Sequence, residues 1–510
     1  MAFGFGFGMP RSFAAPFTPR SLFSTGAQGA WYDPSDRSTL FQDAAGTTPV
    51  TAVEQPVGLM LDKSKGLVLG SELVTNGDFS QGSAGWTPNV WAIGSGVATS
   101  TATSTSLING FTSVQGRFYK VEFDVVTYTS GTLYVTVGGN YSTPLTFTSS
   151  GRKSAYVVAG ATNTRGIEFY GGSVTCSIDN ISVRELPGNH AFQTTAASRP
   201  VLSARYNLLT ATETLATQSV TTRATTQKLT FTGTGSITLS GTATGTYTAG
   251  TYSVVTTAGT LTLTISGSVT KADLRASNES LNQPAYQRVN TSTDYDTVGF
   301  KPYLLADGVD DGMVTNSINF TTTDKMTVCA GVRKLSDAAE AMITELSANV
   351  DSNNGTFSIF APGGISAVRD SAYVGVSKGT IKAFAGPLAA AYPAPITNVV
   401  TTANNISGDS VVVRINGAQV TQSTADQGTG NYGNYPLYLF RRGGTTLPFN
   451  GRFYGMTVVG KTLNNGELFN LEAFTSVKTT GEIPYDPTSY ILTEASDKLL
   501  LQDNYNFITE

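Results

Sequence analysis

The chain has 510 residues, with 32 Lys+Arg against 36 Asp+Glu and only 13% charged residues in all, about half the roughly 25% usual in soluble domains. That length excludes a single small module and leaves room for about three or four domains. The net charge of −4 provides no cationic footprint for a phosphate backbone, so nucleic acid is not an expected partner. Glycine stands at 54 and Ser and Thr fill much of the remainder, which suits sheets whose exposed faces carry hydroxyls in place of Lys and Glu. The expected fold class is all-β: a multi-domain chain of β-sandwiches with an irregular N-terminal arm.

Residues 1–65 form that arm. Pro10, Pro16, Pro19, Pro34, Pro49 and Pro56 interrupt any periodic pattern, yet Phe3, Phe5, Phe7, Phe13, Phe17, Leu22 and Phe23 are strongly apolar. Burying such a side chain is worth roughly 1.5–3 kcal/mol, so the segment reads as an anchor that docks on a larger assembly; a flexible tail is the alternative. Met1 to Pro10 alternates Phe and Gly without a cationic n-region or a small-residue cleavage site and does not read as an ordinary signal peptide. Residues 66–186 carry short alternating strands: Tyr119, Val121, Phe123 and Val125 point one way and Lys120, Glu122 and Asp124 the other, with Leu133, Val135 and Val137 repeating the pattern after Gly131. Residues 205–275 alternate again through Leu229, Phe231, Ile237, Leu239, Leu261, Leu263 and Ile265. This unit is thin and is expected to lean on a neighbour or a symmetry mate. Polar connections at 187–204 and 276–300 mark the boundaries. Residues 301–475 form the last large unit, with Val411, Val413 and Ile415 before the turn pair Asn416-Gly417 and another strand over Phe453–Val459. One helix is predicted there. Asn464 caps it, Glu467 completes a capping box, Leu468, Leu471 and Phe474 make its apolar stripe, and it should pack on a sandwich edge. The tail 476–510 shows no fold of its own. Cys176 and Cys329 read as buried thiols, and apolar runs such as Val411 to Val413 are far too short to cross a bilayer.

Leu73-Val74-Thr75-Asn76-Gly77-Asp78-Phe79, then Gly85-Trp86, closing with Ser177 to Val183, resembles the first and last strands of carbohydrate-binding modules of the family 4/9 jelly-roll type. That resemblance implies a structural calcium at Asp78 and Asp179; the alternative is that both cap turns. No cofactor is otherwise required. Asp307 to Gly312, Val411 to Gly417, Phe449 to Phe453 and Leu463 through Glu467 to Leu471 resemble, in the right order, a concanavalin A-like, LamG-type jelly roll. Gly29 to Asp36, with Leu40 to Asp43, Thr47 to Val50 and Pro56 to Gly58, resembles a segment of tailed-bacteriophage virion proteins.

His190, the only histidine, lies in a linker, an unpromising place for a catalytic base. Glu122 and Asp124 share a strand face and read as solvated, not as the carboxyl pair of a glycosidase. Asp310 and Asp311 read as loop residues. Trp86, Trp91, Tyr128, Tyr134 and Tyr141 are candidates for stacking on sugar rings, core packing being the alternative. These observations lead to an expected non-enzymatic virion structural protein: a tail fibre or tail-tip component, joined to other virion proteins by its N-terminal arm and presenting sandwiches to host-surface glycans. A head fibre or capsid decoration protein is the variant within that class, and a polysaccharide-degrading enzyme or a bacterial adhesin are the readings outside it. A homo-oligomer is expected, fibres often being trimeric, although no heptads fix a number.

Overall fold

The computed structural model describes residues 17–103, 105–279, 282–363, 371–386 and 392–481, together with the backbone of 499–502 and 506–509. Among the described residues the chain is all-β apart from one α-helix and short 3-10 turns, as its composition predicts. Its largest body is a sandwich of two nine-stranded sheets. The first runs Ala418–Ser423, Ser410–Ile415, Ile396–Asn405, Lys325–Lys334, Asn450–Val459, Tyr303–Asp307, Val201–Ser203, Gln55–Pro56, and Gly29–Tyr32 also pairs with Asn450–Val459. The second runs Leu40–Phe41, Leu59–Met60, Ala191–Phe192, Met313–Asn319, Asn434–Leu439, Met342–Leu346, Thr356–Phe360, Val374–Lys378, Lys382–Ala385. Val328, Ala330 and Val332 point into the core between them, where they share one cluster with Val411, Val413, Phe357 and Phe453. Asn416 and Gly417 both have positive φ, 50° and 84°, the geometry that a two-residue hairpin turn needs to follow the strand twist.

The sandwich does not start at residue 301. Ala30, Tyr32, Leu40, Val50, Val57 and Met60, from the expected arm, and Ala191 and Leu202, from an expected linker, are buried in its core. The expectation of an arm over residues 1–65 is therefore corrected for its described part: residues 29–60 supply strands to both sheets. Residues 66–186 and 205–298 are insertions between successive strands of one sandwich. Phe17, an expected anchor to another protein, packs edge-on against Phe474 of the helix at 6.4 Å, and Leu22 and Phe23 are buried beside it. Phe3, Phe5, Phe7 and Phe13 lie outside the described residues.

The helix, Asn465–Thr479, has the predicted capping box between Asn464 and Glu467. It lies on the outer face of the first sheet, not at an edge. Cys329 and Gly331 alternate with the core-facing valines and so point outward, and a Cβ at Gly331 would fall 2.0 Å from the Thr479 hydroxyl; the bare glycine lets the helix approach the sheet. Arg414 fixes the contact through a two-pronged ion pair with Glu472 at 2.8 and 3.0 Å, the carboxylate being buried.

The first insertion is an eight-stranded sheet in which two 20-residue strands, Phe118–Val137 and Ile167–Leu186, pair along their length with several register shifts. Residues before and after those shifts face a single core. The second insertion is a five-stranded antiparallel sheet around Leu229, Phe231, Ile237, Leu261 and Leu263. Its outer face is tied by cross-strand hydroxyl pairs, Ser219 to Thr262, Thr230 to Thr251, Thr232 to Thr270 and Thr238 to Thr246, which account for a surface with few charges. It leans on the sandwich of its own chain, where Arg223 donates to the Leu335 carbonyl and Asn278 to that of Pro395. Beyond the helix, Leu499–Gln502 and Asn506–Thr509 pair as a ribbon. Among the described residues no helix is long and apolar enough to cross a membrane.

Both cysteines are buried and free. Burial pushes the Cys176 thiol up to about 11 and, with Glu472 nearby, that of Cys329 up to about 12. Neither should react with a thiol reagent at pH 8 in the folded protein, and two per chain should react in denaturant; a colorimetric thiol titration checks this.

Candidate ligand-binding surfaces

The outer face of the 86–186 sheet gathers three tyrosines. Leu133, Val135 and Val137 are buried in the core, so Tyr134 and Thr136 between them face away from it. Tyr170 lies across from Tyr134 in register, and Glu168 across from Thr136. The rings of Tyr134 and Tyr170 stack with centroids 5.1 Å apart and planes 21° from parallel. Tyr141, from the following loop, meets Tyr170 edge-on at 5.6 Å and is 49% exposed. Glu168, almost wholly buried, holds the group together: it accepts from Arg165 Nε at 2.7 Å and Nη2 at 2.9 Å, and also from the Tyr141 and Ser106 hydroxyls. Burial acts to raise its carboxyl, but Arg165, Ser106 and Tyr141 outweigh burial and hold it below the usual range. Burial and the Glu168 hydrogen bond push the Tyr141 hydroxyl up to about 12, so Tyr141 remains a donor at neutral pH. The Arg165 guanidinium sits 5.6 Å from the Tyr141 ring. The result is a set of fixed rings beside a cation, chemistry that suits the apolar faces and hydroxyls of a sugar.

A second surface is the cleft of about 890 Å³ where this module meets the sandwich. Gln28, Gln115, Asn189, Asn316, Asn319 and Asn434 supply its amides, with Lys65 and Arg117 at its walls. The Asn316 amide crosses the seam to donate to the Gly116 carbonyl at 2.7 Å. Its ring, Phe118, is buried and turned edge-on to His190 at 4.8 Å. This cleft can exchange hydrogen bonds with hydroxyls but presents no open aromatic face.

The structure separates the expected stacking residues. Tyr134 and Tyr141 come together with Tyr170, which the sequence reading missed. Trp86 and Trp91 do not join them: they are only 6% and 3% exposed, Trp86 lying against Phe79 and Phe169 and donating to the Asn76 carbonyl at 2.9 Å, and Trp91 donating to that of Thr105 at 3.0 Å. Both are core residues. Tyr128 is tied down by its hydroxyl, which donates to the Gly131 carbonyl at 2.7 Å.

Asp78 accepts from the backbone and hydroxyl of Ser80, and Asp179 from the backbone of Asn180. The two carboxylates share no partner, and among the described residues no group of three His, Cys, Asp or Glu is placed to hold a metal. Glu122 and Asp124 are paired with Lys120 and Arg152, each at 3.4 Å, on an outer face. Asp310 accepts from Ser198, and buried Asp311 from the Asp307 backbone; burial and Asp307 raise the Asp311 carboxyl to about 6. His190 is fully buried, with Nδ1 accepting from the Asp62 backbone at 2.9 Å, which places the proton of the neutral ring on Nε2 beside the Leu186 carbonyl. Burial lowers its pKa, so it is a neutral structural link between segments.

No family model matches the sequence, and neither does any curated protein. Among solved structures, the chain is similar to the CBM40 of an IT-sialidase from Ruminococcus gnavus, at 18% identity over 30% of this chain and 84% of that one, with a TM-score of 0.24. It is similar also to domain 4 of AbnA, a GH43 extracellular arabinanase from Geobacillus stearothermophilus described in complex with arabinotriose, at 12% identity over 34% and 76% with a TM-score of 0.26. A third is the binding domain of botulinum neurotoxin DC in complex with SialylT, at 14% identity over 34% and 43% with a TM-score of 0.27.

Proposed function

We propose that the chain is a non-enzymatic glycan-binding protein of a tailed-phage particle, and that its recognition surface is the Tyr134, Tyr141 and Tyr170 face of the first inserted module. The observation that carries the binding reading is the stacked, half-open tyrosine set locked by buried Glu168 and Arg165. Pre-set rings bind with little loss of side-chain freedom. The non-enzymatic reading is supported by the fate of the candidate catalytic groups: His190 is a buried link, and Glu122 and Asp124 are each engaged by a cation on an open face. The particle context is supported by the resemblance of residues 29–58 to virion segments and by the apolar sequence positions Phe3, Phe5, Phe7 and Phe13.

A glycan array probed with the full chain tests the binding reading. Tyr141→Ala, at a half-exposed position, and Tyr170→Ala should each weaken the leading signal at least tenfold, since an aromatic anchor is worth about 1.5 kcal/mol or more, while Asn434→Ala in the amide-lined cleft should leave it unchanged. An empty array, or binding that survives both tyrosine changes, overturns the assignment. Loss with Asn434→Ala alone moves the site to the cleft. A chain lacking residues 2–16 should fold but stay off purified particles, and its normal incorporation overturns the anchor.

A further inference from the structure

Where the second inserted module meets the sandwich, two arginines converge on one carboxylate and a third lines the same cavity. Arg452 donates to Glu279 at 2.9 Å, and Arg333 lies 3.4 Å from the other oxygen of the same group. Arg223, from the inserted module, lines the same cavity of about 60 Å³ with Arg333, Arg452 and Glu279. The Arg333 side chain is 1% exposed. Its Nη atoms are used by Asn278 and Thr397, but its buried Nε has no hydrogen-bond partner. The Arg452 guanidinium lies against two mutually perpendicular rings, 4.8 Å from Tyr206 and 4.5 Å from Tyr303. Burial keeps those phenols neutral, so they do not offset the charge. Burial first, and then the neighbouring Arg452 and Arg333 charges, lower the pKa of Arg223. Gln227, also lining the cavity, leaves its Oε1 buried without a partner.

A half-buried pocket with two uncompensated positive charges and an unused N–H is costly to leave as it is. We propose that the Arg223, Arg333 and Arg452 pocket binds one carboxylate-sized oxyanion. The guanidinium fork matches the planar carboxylate, the small volume limits the ligand to one such group, and Gln227 Oε1 offers an acceptor to a hydroxyl beside it. The site is independent of the tyrosine face and lies on a different module.

Calorimetric titration of the full chain with sodium acetate, inorganic phosphate and glucuronate, each at constant ionic strength, tests this. Saturable one-to-one binding of acetate or phosphate, weakened at least tenfold by Arg223→Gln, is the expected result. Tighter binding of glucuronate than of acetate assigns the source as an acidic sugar, and acetate or phosphate binding with glucuronate refused assigns it as a free ion. Arg223 is the least buried of the three, and circular dichroism together with the melting temperature establishes that the variant is folded. A rise in melting temperature with acetate that the variant lacks gives a second readout. No saturable heat from any of the three probes, or equal binding by wild type and a folded Arg223→Gln, overturns the proposal.

Discussion

Asp62→Ala should destabilise the protein by about 3–5 kcal/mol, a large share of the 5–15 kcal/mol that holds a domain folded, read as a fall in the denaturant midpoint. Asp62 is fully buried. Its carboxylate accepts from the backbones of Trp31, Ser64 and Asn189 and from the Ser64 hydroxyl, each at 2.8 Å. Alanine leaves three buried N–H groups without an acceptor, at roughly 1–3 kcal/mol apiece before relaxation. The affected backbone joins the Gly29–Tyr32 strand to the return of the chain at residue 189, so the loss is felt where the first insertion enters and leaves. Asp62→Asn keeps one acceptor oxygen and should cost clearly less. Equal stability of Asp62→Ala and wild type would show that the carboxylate does not hold this junction.

Truncation should divide the N-terminal segment in two. Removing residues 2–23 takes away Leu22 and Phe23, which are 1% and 5% exposed and cover Trp31, Val459 and Leu471 under the helix. At about 1.5–3 kcal/mol for each buried side chain, the cost is about 3–6 kcal/mol, with a matching drop in melting temperature. Removing residues 2–16 keeps Phe17, Leu22 and Phe23 in the chain and should shift the melting temperature by no more than about 2 °C, chain termini being where truncation is commonly tolerated. Two equally destabilised truncations would show that the earlier residues also support the sandwich. Two equally stable ones would show that the Leu22 and Phe23 packing is dispensable.

Much of the architecture was legible because it is periodic. The strand at Tyr119 to Val125, the Asn416-Gly417 hairpin and the Asn464 capping box each announce themselves within a few residues, and the low charge foretold the hydroxyl ladders. The continuation of the sandwich through residues 29–60 and 191–203 was not legible. Its strands there are two to four residues long, too short to show alternation, and apart from the local pairing of Leu40–Phe41 with Leu59–Met60 their partners are remote in sequence, so the segment reads as a Pro-rich arm. The binding surface was half legible for a related reason. Tyr170 had a signal that went unused: in Ile167-Glu168-Phe169-Tyr170 the core-facing Ile167 and Phe169 put Glu168 and Tyr170 on the same outer face as Tyr134. Trp86 and Trp91 sit in or beside short irregular strands whose inward face no pattern reveals, so their aromatic faces left sugar stacking and core packing both open.

The pairing of Gly29–Tyr32 with Met456–Val459 also dictates how the molecule is made. A ribosome adding about 5–20 residues per second completes the partner strand roughly 20–90 seconds after the first has been made. In that interval Trp31 and Tyr32 are without their final neighbours. The two inserted modules draw their sheets from local sequence and can close during the wait, so biogenesis proceeds from the inserted units inward, and the body that carries them is the last to be sealed.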